Sequence, residues 1–281
     1  MPCIPQTPPD CKHSPVMNRP QQTIAVFGGL YSNYLALEAA LADARRRGAE
    51  AFYCLGDMGA FGPHPDRVFP LLREHGVRCI RGNYDDSLAR GLDDCQCGYT
   101  DPRDNHFARI SYRYTYANTS AENRRWLGTL PQRLHLEMAG LRVLLCHGSP
   151  RQMNEFLWES TTSTAFLEHL CRRYHCDVIL ATHTGIKWHR PLSGGRHFVN
   201  VGVLGRPEND GRTCVWYALL RFGPERKFQV EFVPVEYDHH RLAHEMRTEG
   251  LPEEFVQTIL TGWWTCCLEI LPQKERRRGR F

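Results

Sequence analysis

The stretch AFYCLGD at residues 51–57 joins a short apolar run to a glycine and an aspartate. A run of this length and composition predicts a buried β-strand, and Gly-Asp is a turn pair that ends it. The chain repeats this arrangement, because strand-like runs that end at Arg81, Cys146 and Ala181 are each followed by a polar side chain. In open α/β sheets the ligand crevice lies outside the carboxyl ends of the strands. We therefore expect a functional site there.

Around this segment, apolar runs rich in β-branched residues alternate with longer amphipathic stretches. The predicted strands are Thr23–Phe27, Ala51–Leu55, Val77–Arg81, Leu141–Cys146, Asp177–Ala181, His197–Val201, Cys214–Phe222 and Phe228–Val235. The predicted helices are Asn33–Arg47, Asp66–His75, Ser120–Leu130, Thr164–His175 and His239–Gly250. This alternation predicts a layered α/β architecture in which helices cover the faces of a sheet.

The composition is that of an ordinary globular protein, with 281 residues, of which 42% are hydrophobic and 23% charged. It excludes a disordered, collagen-like or coiled-coil chain. The longest apolar runs fall far short of the about 18 residues that suggest a membrane span, so we expect a soluble protein without membrane contact. A formal net charge of +4 does not by itself call for nucleic acid.

The twelve cysteines are scattered through predicted strands and helices, and the proline-rich first twenty residues do not form a signal-peptide pattern. Reduced thiols in the cytoplasm are therefore the favoured interpretation. The pair in Cys95-Gln96-Cys97 is a further candidate for metal binding or redox chemistry, although a single Cys-x-Cys pair is a weak zinc signal.

The polar residues that follow the predicted strands form a candidate metal shell. They are Asp57, Asn83, His147 and His183. One carboxylate, one amide oxygen and two imidazoles suit a divalent transition metal such as Mn, Fe or Zn better than Ca or Mg. Each residue alone also has an ordinary explanation as a turn residue or a hydrogen-bonded structural histidine, so the interpretation depends on the combination.

Taken in this order, the four segments and NVGVLGRP at residues 200–207 resemble the calcineurin-like metallophosphoesterase superfamily, particularly its bacterial phosphodiesterase branch. The resemblance includes FGPHP at residues 61–65 and MNEFL at residues 153–157, and it runs from Thr23 to about Gly262. It implies a single-domain β-sandwich flanked by helices, two metal ions, and hydrolysis of a phosphate ester by a metal-activated water.

The match divides the chain into a loosely ordered arm at residues 1–22, the metallophosphoesterase domain at residues 23–262 and a C-terminal extension at residues 263–281. The extension ends in a stretch with one lysine and four arginines and is expected to be a solvated tail. Weak attraction of this basic tail to RNA or another polyanion is the alternative.

The chain departs from the family pattern in one half of the metal site. Gly29 and Tyr31 stand where the family has an Asp-x-His pair, and Gly185 stands where it has the second histidine of Gly-His-x-His. In the family these three ligands serve one metal, and the matches to the retained residues serve the other. The loss is selective for one half, so we expect one ion in place of two.

Three interpretations compete for the vacated position. In the first, the ring of Tyr31 fills the space and leaves a mononuclear site. In the second, Lys187 supplies a cation in place of the missing metal, although Lys187 also fits an ordinary solvent-exposed loop lysine. The third interpretation is a rebuilt second site, made by a Tyr31 phenolate with Asp85, Asp86 or His64.

Other residues are candidates for contact with the substrate. Arg151 and Arg206 are predicted phosphate contacts, because a guanidinium fits phosphate oxygens, with surface salt bridges as the alternative. His64 is the candidate for a substrate-side or proton-transfer role, since it follows Asp57 in a loop at the same end of the sheet. Trp158 and Trp188 are assigned to packing in preference to stacking on a substrate ring.

The leading hypothesis is a metal-dependent phosphoesterase-type hydrolase with an altered, mononuclear site that acts on a phosphate ester or related phosphorus compound. Its expected partner is therefore a phosphate-bearing small molecule. One alternative is a non-catalytic protein that binds a phosphate ligand or a partner on a degenerate scaffold. Another retains a redox-capable metal for different chemistry. The sequence does not predict an oligomeric state.

Overall fold

Two five-stranded sheets packed face to face form the centre of the protein in a computed structural model that describes residues 21–277. Residues 1–20 and 278–281 lie outside the described residues, and with them nearly all of the predicted N-terminal arm and the end of the basic tail. Helices cover the outer faces of both sheets, so the expected layered α/β architecture is confirmed.

The first sheet has the strand order β10-β9-β1-β2-β3. Its strands are β1 (Gln22–Phe27), β2 (Ala51–Cys54), β3 (Arg78–Cys79), β9 (Val215–Gly223) and β10 (Lys227–Val235). The three strands β1, β2 and β3 are parallel, whereas β9 and β10 are antiparallel to their neighbours.

The second sheet has the order β4-β5-β6-β8-β7. Its strands are β4 (Leu134–Met138), β5 (Leu141–Leu145), β6 (Val178–Ala181), β7 (Lys187–Leu192) and β8 (Arg196–Val201). Here β5, β6 and β8 are parallel and the two edge strands are antiparallel. The parallel strands of both sheets carry the loops that build the candidate site.

The helices are α1 (Tyr34–Arg46), α2 (Val68–Glu74), α3 (Asn83–Arg90), α4 (Pro102–Asn118), α5 (Ala121–Thr129), α6 (Thr164–Arg173), α7 (His239–Thr248), α8 (Glu253–Thr261) and α9 (Gln273–Arg276). Asn33 and Ser120 cap α1 and α5 by accepting backbone N–H groups, as their positions in the sequence predict. Within residues 21–277, no helix combines the length and the apolar character that crossing a bilayer requires.

Alternation of side chains divides the core into layers. In β1, Ile24 and Val26 belong to the cluster between the two sheets, whereas Phe27 packs with the helices on the outer face. In β5, Val143 belongs to the cluster between the sheets, while Leu144 packs with α6. The period of two in these strands therefore explains why both faces of each sheet are buried.

The residues at 263–271, which we call the C-terminal segment, are packed into the fold. The side chain of Trp264 is 2% exposed, and its indole N–H donates to the Pro207 carbonyl at 2.7 Å. Cys266 and Leu271 are also buried, and the Ile270 N–H donates to Asp104. The expectation of a solvated tail is therefore wrong for this part of the extension.

Candidate metal centre

Three polar side chains converge where parallel strands end. Asp57 follows β2 of the first sheet, whereas His147 and His183 follow β5 and β6 of the second sheet. The Nε2 atom of His147 lies 3.3 Å from Asp57 Oδ2 and 3.2 Å from His183 Nδ1. All three side chains are buried, and their ligand-type atoms lie within 4.8 Å of one another. The centre therefore takes its side chains from both sheets.

The backbone holds two of these residues in the left-handed region, where non-glycine residues are uncommon. Asp57 has a φ of 58° and His183 a φ of 71°. Strain of this kind costs roughly 1–3 kcal/mol and is concentrated at functional sites. The Tyr84 N–H donates to Asp57 Oδ1 at 3.1 Å, and this fixes the carboxylate.

The hydrogen bond of His147 to the backbone assigns its tautomer. Nδ1 lies 2.6 Å from the Leu55 carbonyl, so this nitrogen carries a proton and Nε2 faces Asp57 and His183. Burial lowers the pKa of His147, but the Asp57 carboxylate outweighs burial and the net shift is upward, so a metal ion bound at Nε2 would displace a proton from it. Burial and the neighbouring His147 lower the pKa of His183 to about 3, so its imidazole is neutral near pH 7. Neutral imidazoles are the form that binds a metal ion.

Asn83, the first residue of α3, adds an unsatisfied acceptor. Its amide Nδ2 donates to the Cys95 carbonyl at 2.8 Å and to Cys97 Sγ at 3.5 Å. The opposite atom, Oδ1, is buried and has no hydrogen-bond partner among the described residues. Buried polar atoms in folded proteins nearly always have a partner, so this oxygen is a candidate ligand atom. Asp57 and the two histidines are donor types that fit Mn, Fe or Zn, and Asn83 Oδ1 is the candidate for a fourth donor.

Aromatic rings pack against the centre. The ring of Phe156 lies 4.3 Å from that of His183 and stacks on Trp158 at 5.6 Å. Trp158 is buried, as is Trp188, whose indole N–H donates to the Leu157 carbonyl. Both tryptophans therefore have packing contacts, in agreement with the favoured interpretation.

A cleft opens beside the centre, and its cavity volume is about 50 Å³. Asp57, His183 and Arg206 contribute the charged and imidazole groups of its lining. Most of the remaining wall is aromatic and consists of Tyr31, Phe61, Tyr84, Tyr99, Phe107 and Phe255. This cleft combines a few convergent polar groups with apolar walls, as small-molecule sites do.

The space that ligands at positions 29 and 185 would use is filled. A β-carbon on Gly29 would lie 2.6 Å from Cε1 of Tyr31, and one on Gly185 would lie 2.8 Å from Cη2 of Trp264. Burial raises the pKa of the Tyr31 phenol well above its ordinary value. This arrangement favours the interpretation that Tyr31 fills the vacated position as a neutral ring.

The residues proposed for a rebuilt second metal site do not lie together in the cleft. The Asp85 carboxylate accepts the backbone N–H groups of Asp57 and Met58 at 2.7 and 3.0 Å, which occupies it in holding the loop. Asp86 forms ion pairs with Arg81 and Arg90. Neither carboxylate lines the cleft with Tyr31.

Two predicted site residues lie elsewhere. His64 does not line the cleft, and its Nε2 atom lies 3.6 Å from a carboxylate oxygen of Glu245. Lys187 begins β7, is buried, and forms an ion pair with Glu208 over the ring of Trp216. The interpretation of Lys187 as an exposed loop lysine is therefore wrong, and its ammonium is neutralised away from the cleft.

The two predicted phosphate-binding arginines differ in their surroundings. Arg151 pairs with Glu155 at the surface and lines a separate small cavity, which His147 also lines. Arg206 is buried in the cleft wall, with its guanidinium carbon 3.5 Å from the centre of a Trp264 ring. Of the two, only Arg206 lies in the cleft.

A disulfide corrects the expectation that all thiols are reduced. Cys95 and Cys97 are bonded, whereas the other eight cysteines of the described residues are free. Cys97 lines the cleft and Cys95 fixes Asn83, so this loop supports the centre. The Cys-x-Cys spacing was the signal for the bonded pair, while no local signal in the sequence pointed to Trp264.

Comparisons with known proteins agree with this geometry. A family model described as the calcineurin-like phosphoesterase superfamily domain matches residues 23–222. The uncharacterised protein MJ0912 of Methanocaldococcus jannaschii is 25% identical over 255 residues, which cover 85% of this chain and 98% of that protein.

Two solved structures have a similar fold. The hypothetical protein PH1004 of Pyrococcus horikoshii is similar with a TM-score of 0.71 at 22% identity, over 85% of this chain and 98% of that one. A metallophosphoesterase from Sphaerobacter thermophilus is similar with a TM-score of 0.65 at 25% identity, over 86% and 99% of the two chains.

Proposed function

This chain belongs to the calcineurin-like phosphoesterase superfamily, and from that premise we propose that it is a metal-dependent hydrolase of a phosphate ester or related phosphorus compound, working with one metal ion. One observation carries the proposal. The ligand-type atoms of the buried Asp57, His147 and His183 converge, and Asn83, whose neighbour Tyr84 donates its backbone N–H to Asp57, has a buried and unpartnered Oδ1.

Asp57, Asn83, His147 and His183 would hold the ion, which we take to be Mn, Fe or Zn. When bound, it would polarise a phosphoryl oxygen and supply hydroxide near neutral pH. The protein's own contribution is to position these groups. The Leu55 carbonyl holds the proton of His147 on Nδ1, and the Tyr84 N–H orients the Asp57 carboxylate.

The proposed substrate is a phosphate-bearing small molecule that enters the aromatic cleft. Arg206 is the predicted phosphate contact that this proposal retains, because it lines the cleft. Roles for His64, Arg151 and Lys187 remain predictions from the sequence, and their present contacts do not support them. A cytoplasmic location stays a prediction, with which the eight free thiols agree and the Cys95–Cys97 disulfide does not. Contact of the basic tail with RNA also stays a prediction from the sequence.

A second candidate function is binding of a phosphate ligand without turnover. The filled half of the site favours it, because a single ion lacks the clamp that two ions place on the attacking and leaving oxygens. Both functions require the same ligands, so turnover distinguishes them.

The test is metal content and hydrolysis measured together. We expect about one transition-metal ion per chain and turnover of aryl phosphates in the wild type, and loss of both in Asp57→Asn. Asp93→Asn, which changes an exposed aspartate, is the matched control. Normal hydrolysis in Asp57→Asn would overturn the proposal, and a metal-loaded wild type that never turns over would favour the binding function.

A further inference from the structure

A buried cation stands close to the position of the missing ligands. The Nη2 atom of Arg206 lies 3.4 Å from the place where a β-carbon on Gly185 would be. Its guanidinium carbon is 5.7 Å from the ring of Tyr31, the residue that fills the other vacated position. The part of the cleft that has lost its metal-binding side chains therefore contains a guanidinium.

The guanidinium is buried without a matching anion. Arg206 is 7% exposed, and its Nε atom has no hydrogen-bond partner within residues 21–277. The two acidic residues of the same loop are already engaged, because Glu208 pairs with Lys187 and Asp210 pairs with Arg212. A buried charge is costly unless it is paired and hydrogen-bonded, so this side chain calls for an anionic ligand.

The C-terminal segment holds this cation in place. The Trp264 ring stacks on the guanidinium at 3.5 Å, and Phe61 lies on it at 5.7 Å. Trp264 is itself tied to the loop that follows Arg206, since its indole donates to the Pro207 carbonyl and its backbone N–H to Asn209 Oδ1 at 2.9 Å. Stacking fixes the guanidinium plane, while its Nε–H has no partner among the described residues.

We propose that Arg206, held by Trp264, is the anion subsite of this centre and takes the place of a second metal by binding a phosphoryl oxygen. This proposal rests on the proposed function. Asp57 and His183 line the same cleft as Arg206, so the anion subsite and the candidate metal ligands share one cavity.

The remaining walls indicate the class of substrate. They include the rings of Tyr84, Tyr99, Phe107 and Phe255, three of which are nearly buried, and they bound a narrow apolar space. A flat apolar group gains from these rings, whereas a sugar or a further phosphate would lose hydrogen bonds to water. We infer that the substrate is a monoester that joins one phosphoryl group to an apolar ring-bearing alcohol.

The test is calorimetric titration with inorganic phosphate, carried out on the metal-loaded and on the metal-free protein. In Arg206→Gln we expect affinity for phosphate to fall by about tenfold or more in both forms, with an unchanged metal content. Arg212→Gln, in the same loop but facing Asp210 at the surface, should bind phosphate as the wild type does. Hydrolysis of phenyl phosphate should exceed that of ribose 5-phosphate in the wild type.

Equal phosphate affinity in Arg206→Gln and the wild type would overturn the subsite. If Arg206→Gln does not fold, Arg206→Lys is measured in its place. Lysine keeps the charge but lacks the planar guanidinium that stacks on Trp264 and forms two parallel hydrogen bonds with phosphate. An unchanged phosphate affinity in Arg206→Lys would also overturn the subsite. A preference for ribose 5-phosphate would overturn the substrate class. Phosphate binding that depends on Arg206 in the metal-free protein would support the subsite even if metal content and hydrolysis refuted the proposed function.

Discussion

The indole of Trp264 occupies the space beside Gly185, with Cη2 at 2.8 Å from the site of an added β-carbon. Gly185 also has a φ of 81°, which favours glycine over any other residue. A histidine at this position would therefore meet both a strained backbone and an aromatic ring. Packing against Trp264 therefore closes the space beside Gly185 to a larger side chain.

Gly185→His is expected to destabilise the protein by about 2 kcal/mol or more without adding a second metal, because strain and overpacking combine. Urea unfolding and elemental analysis measure the two effects. Gly195→His is the matched control, since Gly195 has a φ of 67° but no atom within 4 Å of the added β-carbon. Equal stability of the two variants would contradict the clash with Trp264.

His183→Gln is expected to lower the affinity for the transition metal by more than about 100-fold, because removal of a supporting group beyond the ligands alone costs 10–100-fold. Competition with a chelator measures the affinity. His189→Gln serves as the control, since His189 contacts His197 at 3.0 Å and does not line the cleft. Retention of metal by His183→Gln would remove this residue from the ligand set.

Asp85→Asn is expected to destabilise the protein by about 1–3 kcal/mol and to weaken metal binding by about tenfold or more. The carboxylate accepts three backbone N–H groups, from Asp57, Met58 and Gly82, and an amide would turn an N–H₂ group toward one of them. Thermal unfolding and metal titration measure the change. Asp86→Asn, the adjacent surface residue, should leave metal affinity unaltered.

Asp177 makes stability depend on pH in acid. Burial raises the pKa of its carboxyl, but hydrogen bonds from Arg142 and an ion pair with Arg226 outweigh that effect and lower it to about 2. The folded state therefore holds the proton less tightly than the unfolded state, whose pKa is about 3.9. This contribution, up to about 2 kcal/mol, is present above pH 4 and is lost as the pH falls through 2.

Urea unfolding of the wild type and of Asp177→Asn at pH 7, 4 and 2.5 measures this contribution. The asparagine variant should be less stable at pH 7 and should lose less stability than the wild type between pH 4 and 2.5. An equal loss of unfolding free energy in both proteins between pH 4 and 2.5 would mean that Asp177 is not responsible for the pH dependence.

The strands and the convergence of Asp57, His147 and His183 could be predicted because each follows an apolar run that is long enough to identify a strand. Strands β4 and β7 escaped prediction for a physical reason. They are edge strands, and β7 carries Lys187, Arg190 and Pro191 in place of an apolar run. Without β7, Lys187 was assigned to a loop.

Side-chain partners distant in sequence were not predictable from local patterns. The direction of the loop after Asp57 depends on a left-handed φ of 52° at His64, which turns that imidazole toward Glu245 instead of the cleft. Trp264 reaches the site only because the C-terminal segment folds back onto the loop after Arg206. The contact of Trp264 with the site results from tertiary packing between distant segments, so local sequence patterns do not predict it.

The three candidate ligands come from opposite halves of the sandwich, with Asp57 after a strand of the first sheet and His147 and His183 after strands of the second. An ion bound by all three would be fully coordinated only while the two sheets stay together at this edge. Such an ion would therefore join the two sheets at this edge. Its loss would remove that link, so the binding free energy of the metal would also contribute to the association of the two sheets.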